Sequence, residues 1–500
     1  MSSTSGIESA SIPIAFSRGR GASWPLILGV VGFLIPVLLG WGLADPDTYW
    51  HIAAGRWMLM HGAVLTHDPF SFTMHGAPWV AHEWGAELLI ALVYRFAGWG
   101  GLVFLAAVCF GVTLAYLHRF LLARMEPLHA LLLTFLAGSM MFPSLLARPH
   151  ALVWPLTAVW VGALVSANER HRAPPWWLLG VMLLWANMHA SYILGLGLAI
   201  VLALDAMIAA GAQRWTIGKR WLAFILGAFG CALANPQGFR LLIFPFRVLG
   251  MSSLDYIAEW RQPNFQHPQI FSLWLLVILG LAFIGRIRLP LMRNILILGL
   301  MFMALQHIRN VALLGLVSPF ILASPIAAIW RRLPSAGREA SGLDRHMAAL
   351  AEPARPAAAL VVIILAGLAA GVVLNVRRPH PPGYATPRKA LDALVSRGAG
   401  QRILNDYDFG GYLIFRGVPV FVDGRADLYG DAFLTRTVDA LSLAPHGHLE
   451  ALLRQYRISA ILLRPSWPAV KLLNRMPEWK RVYADKVAVA YVARRKDHTT

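Results

Sequence analysis

Asp45-Pro46-Asp47-Thr48-Tyr49-Trp50-His51 follows directly on an apolar run from about Trp24 to Leu43. Two carboxylates two residues apart, then a histidine, stand where a membrane helix meets water. Acidic groups are costly within lipid and ordinary at its surface. The run itself is long for a signal-peptide core and lacks a clear A-x-A site, so it reads as a retained helix. Further along, apolar runs recur at membrane length. A span needs roughly 20 apolar residues, and eleven candidates fall near 24–43, 100–118, 128–146, 151–167, 176–190, 192–210, 221–235, 270–285, 294–308, 310–330 and 357–376.

Composition agrees with a chain built for lipid. Charged residues make up 14% of the 500 and hydrophobic residues 57%, where soluble domains carry about 25% charged residues. The net charge of +19 would suggest nucleic acid on a soluble protein. Here much of the positive charge lies in short loops, where it sets orientation and meets anionic headgroups, so nucleic acid is excluded as a partner. Cys109 and Cys231 both lie in apolar runs and read as packing residues.

Alternate connections are basic: Arg18 and Arg20; Arg119 and Arg124; Arg170 and Arg172; Arg214, Lys219 and Arg220; Arg286, Arg288 and Arg293; then Arg331, Arg332, Arg338, Arg345 and Arg355. The positive-inside rule places these in the cytoplasm and the N-terminus with them. Eleven spans then leave the C-terminus outside. The remaining connections carry Asp45 and Asp47, Arg148-Pro149-His150, Asn187-Met188-His189, Asn235-Pro236-Gln237-Gly238, Glu259-Trp260 and His307-Ile308-Arg309-Asn310. All fall on the outer face, as a membrane-embedded active site requires. The plain alternative is that helix ends are polar and face headgroups.

The first outer segment, residues 44–99, opens with an expected helix from Thr48 to His61, on which Asp47 and His51 share a face. The run Thr66-His67-Asp68-Pro69-Phe70-Ser71 reads as a loop. A helix from His82-Glu83-Trp84 to about Phe96 is expected to be interfacial, because counting it as a span would break the arginine alternation. Pro379, Pro381 and Pro382 mark a linker after the membrane part, residues 1–376. Residues 383–500 read as a soluble extracytoplasmic α/β domain, with helices at Pro387–Val395 and His448–Tyr456. Strands are expected at Ile403-Leu404, Tyr412–Phe415, Val418–Val422, Ala460–Leu463 and Val487–Val492. Gly410-Gly411 and Asp423-Gly424-Arg425 read as turns, the latter with an internal salt bridge. The expected fold is a polytopic α-helical membrane protein of about 11 spans with this domain at its end.

This layout resembles the GT-C superfamily of integral-membrane glycosyltransferases: an inside N-terminus, many spans, and a long first external loop opening on an acidic motif. Asp45-Pro46-Asp47 stands where that family's catalytic acid sits, and Glu83 resembles a further acidic position of the loop. The chain is also similar to an uncharacterised bacterial group with Trp185 to His189, Asn235 to Gly238, His307 to Asn310 and Asp423 to Arg425 as its motifs. The resemblance implies a polyprenyl-phosphate-linked sugar donor, a glycan, lipid or protein acceptor, and a place in the bacterial inner membrane. Asp45 or Asp47 would be the base that takes the acceptor's proton. Arg148 and Arg309 suit the departing phosphate. His51, Glu83, His150, Asn187, His189, Glu259, His307 and Asn310 complete the expected donor and substrate site. The resemblance leaves the cofactor open: some members of the family use a divalent metal ion, which Asp45 and Asp47 would hold here, and others use none; the histidines lack a ligand-type spacing. The rival readings are a lipid or sugar transporter or flippase, which one-sided clustering disfavours, and a non-catalytic membrane assembly protein.

Overall fold

The computed structural model describes residues 21–283, 289–331 and 342–494. Arg18, Arg20, Arg286, Arg288, Arg332 and Arg338, which carry part of the charge alternation, lie outside the described residues. Helices dominate the chain up to Arg377. Among the described residues, six are long and apolar enough to cross a membrane: Trp84–Leu122, Pro127–Ser144, Tyr192–Ala209, Gly211–Leu233, Arg309–Ile329 and Pro356–Arg377. Trp24–Leu39, Leu178–Met188, Ile270–Phe283 and Leu291–Gln306 are apolar but shorter. This is the make-up of a polytopic membrane protein, whose backbone polar groups must be satisfied within each segment.

Three elements position the site. Helix α1, Trp24–Leu39, ends at Gly40 and hands the chain to Asp45. Helix α2, Asp47–His61, begins at the second carboxylate. Helix α3, Trp84–Leu122, contains both the expected interfacial helix and the expected span at 100–118. Sequence reading separates these two, and the structure breaks between them at Gly98, whose φ of 59° and ψ of −150° are not helical and divide α3 into two arms. A left-handed φ of that kind costs glycine least. The second arm packs along α1, with the Phe33 and Phe104 rings edge to face at 5.1 Å. The first arm packs along α2.

Charged residues within the helical part find partners. Asp205, in the middle of an apolar run, accepts from Arg293 Nε at 3.1 Å, and Arg293 Nη2 also donates to Asn168 Oδ1 at 2.8 Å. Arg293 is therefore a buried residue of the helix Leu291–Gln306, where the charge pattern suggests a loop arginine. Arg124 likewise pairs with Glu169 at 2.7 Å, and Ser324 donates to the same carboxylate. Pairing is the expected fate of ionised groups this far into apolar structure.

The C-terminal residues form a four-stranded sheet, in the order β1-β2-β4-β3. β1 is Ile403–Asn405, β2 Ala460–Leu463, β3 Trp479–Ala484 and β4 Val489–Ala493. β1 and β2 are parallel, Ile403 opposite Ala460; β4 lies antiparallel to both β2 and β3. Two expected strands are absent. Tyr412–Phe415 belongs to a short helix, Gly410–Phe415, whose residues Gly410 to Ile414 are buried; a run apolar on all sides has no period to separate strand from helix. Val418–Val422 runs extended but makes only single bridges through Val420, to Ser71 and Ile403. There the Asn405 side chain takes the place of a ladder, accepting from Phe421 N at 2.8 Å and donating to the Val422 carbonyl at 2.7 Å.

The sheet does not stand apart from the membrane part. Tyr49, Trp50, Ala54 and Met58 of α2 share one apolar cluster with Leu391, Phe409, Tyr412 and Leu462. The Tyr49 ring meets Tyr412 edge to face at 5.2 Å, so α2 is sandwiched between α3 and the C-terminal unit. Packing of this density resembles the inside of one domain more than a linker-borne module.

Candidate active site

Pro46 leads into α2, and the Asp45 carboxylate accepts from the backbone N–H of Asp47 at 2.7 Å. This local bond serves the helix start and turns both carboxylates to one side. There they meet Arg148, which precedes the short helix Pro149–Leu152. Arg148 Nη1 contacts Asp45 Oδ2 and Glu259 Oε2, each at 2.9 Å, and Nη2 contacts Asp47 Oδ2 at 3.1 Å. Glu259 Oε1 in turn accepts from Arg309 Nη1 at 3.1 Å, and the Arg309 guanidinium lies 4.5 Å over the Trp260 ring. Three carboxylates and two guanidiniums from four distant parts of the chain thus form one cluster.

The far wall of the cluster comes from the C-terminal unit. Gly424 packs so closely on Asp47 Oδ1 that any side chain there would displace the carboxylate, and Gly411 sits in the same way on the Pro46 carbonyl. Behind Gly424 lies a fully buried ion network. Arg425 donates through Nε and Nη2 to Asp423 at 2.8 and 2.7 Å, and through Nη1 to Asp68 of the first outer segment at 2.7 Å. The expected internal salt bridge of Asp423-Gly424-Arg425 is present, and it extends to a partner 357 residues away.

Burial sets the protonation balance. It raises Asp45 and Asp47 above the usual carboxylate range; Asp47 is pushed up to about 8, with Asp45 and Glu259 adding to the shift and Arg148 opposing it. Burial also works against ionisation of Glu259, but Arg148 and Arg309 outweigh it and hold that carboxyl down at about 2. His150 falls to about 4 through burial and the nearby Arg148, and burial takes His189 well below its ordinary value. Carboxylates with such divergent environments are what acid–base chemistry needs, and such clusters occur preferentially at functional sites.

The other sequence-predicted residues divide. His150 Nε2 donates to the Ser144 carbonyl at 2.8 Å, and its ring centroid lies 6.5 Å from that of His189. His189 Nδ1 accepts from Ser191 N at 3.1 Å, which leaves Nε2 to face Glu83 Oε1 at 3.3 Å. His51 faces Glu83 and Glu87. His307 and Asn310 instead hold the backbone carbonyls of Trp260 and Met303, while Asn187 donates to those of Leu183 and Ala234 and accepts at Oδ1 from Trp84 Nε1 at 3.0 Å, beside Glu83. Two features escape the sequence reading. Glu87, 1% exposed in the first arm of α3, is a buried acid of the kind that signals a site by its cost. Asp68 lies in a stretch read as loop, and nothing local marks its partner.

A cation does not fit between Asp45 and Asp47. The Arg148 guanidinium already contacts both, so no step through a metal ion is derived there.

Comparison with known proteins is sparse. No family model matches the chain, and no curated protein matches it. Among solved structures it is similar to ArnT from Cupriavidus metallidurans bound to undecaprenyl phosphate, with 12% identity and a TM-score of 0.48 over 94% of this chain and 98% of that one. The apo state of the same protein gives 13% identity and a TM-score of 0.46, over 93% and 97% of the two chains.

Proposed function

We propose that this chain is a membrane glycosyltransferase that moves a sugar from a polyprenyl-phosphate-linked donor to an acceptor outside the cytoplasmic membrane. The observation that carries the reading is the Asp45–Arg148–Asp47–Glu259–Arg309 cluster at the junction of α2, the helix ends and the C-terminal unit. The orientation proposed is N-terminus inside and C-terminal unit outside, from the charge alternation. In the reaction, Asp47 takes the proton of the acceptor nucleophile as its electron pair bonds to C1. The C1–O bond to phosphate breaks, and the polyprenyl phosphate departs with that pair. Arg148 is committed to three carboxylates, so it orients the base. Arg309 has donors beyond its one bond to Glu259 and a side chain 29% exposed, which suits it to the leaving phosphate.

Turnover of a polyprenyl-phosphate sugar by purified protein in lipid tests this. Asp47→Asn is expected to cut turnover by about 10²–10⁴-fold, the usual worth of a positioned base. Full turnover in folded Asp47→Asn and Asp45→Asn variants would remove the catalytic assignment.

The pH profile carries its own sign. A base acts only when ionised, and Asp47 ionises at about 8, so kcat/KM should climb from pH 6 through pH 8 and level above about pH 9. A flat profile over that range contradicts the assignment of Asp47. Folding has the opposite slope: between the unfolded carboxyl value near 4 and about 8 the folded chain holds a proton the unfolded chain has lost, so stability from this group falls as pH rises. Asp47→Asn should therefore melt no lower than wild type at pH 8.5.

A further inference from the structure

We infer that His51, Glu83 and Glu87 form a binding site for a divalent transition-metal ion, beside the arginine–carboxylate cluster and separate from it. This stands whether or not the chain transfers a sugar. One ligand atom from each residue lies within 4.8 Å of the others, and all three residues are buried. His51 is 0% exposed, and neither of its ring nitrogens has a hydrogen-bond partner; Glu87 Oε2 has none either. A buried polar group left unbonded is costly, and this pocket holds three such atoms from two residues.

The geometry says what is missing. His51 Nδ1 lies 3.4 Å from Glu87 Oε1, and Nε2 lies 3.8 Å from Glu83 Oε2. In a neutral imidazole one nitrogen carries the proton and the other a lone pair. Whichever nitrogen has the lone pair faces a carboxyl oxygen 3.4 or 3.8 Å away and forms no hydrogen bond with it. An imidazolium would draw the oxygens in to about 2.7–2.9 Å, and they are not there. Ligand atoms about 2.0–2.2 Å from one shared ion sit roughly 3.3–3.6 Å from each other; the ion would take one His51 nitrogen, and the 3.4 Å between Nδ1 and Glu87 Oε1 matches that spacing. A divalent cation would accept the imidazole lone pair and offset both carboxylate charges.

The surroundings are those of a supported ligand set. His189 accepts at Nδ1 from Ser191 N, so its Nε2 carries the proton toward Glu83 Oε1 at 3.3 Å. Ser191 Oγ in turn accepts from Trp185 Nε1 at 3.0 Å. Hydrogen-bonded outer partners of this kind orient metal-binding carboxylates. One imidazole with two carboxylates selects zinc or manganese over magnesium or calcium. The ion would pin α2 to the first arm of α3 one helical turn from Asp47, and so hold the carboxylate's helix in place.

Metal content tests the site without reference to activity. Full-length protein without a polyhistidine tag, purified in lipid without chelator, is expected to retain about one equivalent of zinc or manganese per chain. His51→Ala and Glu87→Gln should lose it, while Glu259→Gln, in the neighbouring cluster, should keep it. After chelation, titration with Zn²⁺ or Mn²⁺ should rebind to wild type at least tenfold more tightly than to the two variants. If a variant does not fold, X-ray absorption at the metal edge of wild type decides: one imidazole with oxygen ligands supports the site, and any shell lacking imidazole overturns it. The inference also fails if folded wild type neither retains nor binds either ion, or if the His51 and Glu87 variants bind as wild type does.

Discussion

Arg148→Met should abolish turnover and destabilise the protein by about 3–5 kcal/mol, the usual result of removing one partner from a buried ion cluster. Arg148 is the only contact shared by Asp45, Asp47 and Glu259 among the described residues. Without it three half-buried or buried carboxylates face one another, with Arg309 attached to Glu259 alone. They can escape repulsion by taking protons, and this gives the variant a signature. Its carboxyls must titrate even higher than the raised values of Asp45 and Asp47 in wild type. The folded variant then holds protons that its unfolded chain has released, and its stability falls steeply as pH rises above about 4. The gap in melting temperature between wild type and Arg148→Met should therefore be small at pH 5.5 and large at pH 8.5. A gap independent of pH would mean that lost packing, not unpaired charge, sets the cost. Arg148→Lys separates charge from shape. Lysine restores one positive charge but cannot present two nitrogens in a plane to three carboxylates, so the variant should regain most stability and little turnover.

The same cluster shows what a sequence can carry. Asp45, Asp47, Arg148, Glu259 and Arg309 are recognisable singly because each stands at the end of an apolar run, where a charge survives only in water or with a partner. The alternation of arginines in the sequence is what assigns them to one face as an expectation. Their pairing is invisible in the chain, since 103 residues separate Asp45 from Arg148 and 111 separate Arg148 from Glu259. His307 and Asn310 carry the same outward signature as the ion cluster, yet bond to backbone carbonyls at helix ends. Polar residues at a helix end serve binding and capping alike, and composition does not distinguish the two. Asp205 has no partner in its own run; Arg293, 88 residues on, is the answer. The C-terminal unit was the least legible. Tyr412–Phe415 has the composition of a strand but lies in a helix pressed between α2 and the sheet, because the tertiary position overrides the propensity.

The second large effect falls on a residue that touches neither reacting carboxylate. Arg425→Met should lower stability by about 3–5 kcal/mol and remove turnover with it, although Arg425 touches neither Asp45 nor Asp47. Its side chain is fully buried between Asp68 and Asp423, and it lies over the rings of Phe70 and Trp79 at 5.2 and 4.8 Å. Asp68 also accepts from Phe70 N and Ser71 N, each at 3.0 Å, so it fixes the outer segment. Asp423 accepts from Tyr429 Oη at 2.6 Å and fixes the sheet side. Arg425 is the bolt between the two. Removing it leaves two desolvated carboxylates and frees Gly424, which packs against Asp47. The loss of turnover is then positional, and a charge-compensating variant should show it. Asp68→Asn with Arg425→Met removes one orphaned carboxylate, so the double variant should be more stable than Arg425→Met alone, a coupling that independent sites do not give. Proteolysis should follow the same order, with cleavage in residues 62–82 fastest in Arg425→Met, slower in the double variant and slowest in wild type. Equal stability of the single and double variants would show that the stacking of the guanidinium on Phe70 and Trp79, and not its charge, holds the outer segment to the C-terminal unit.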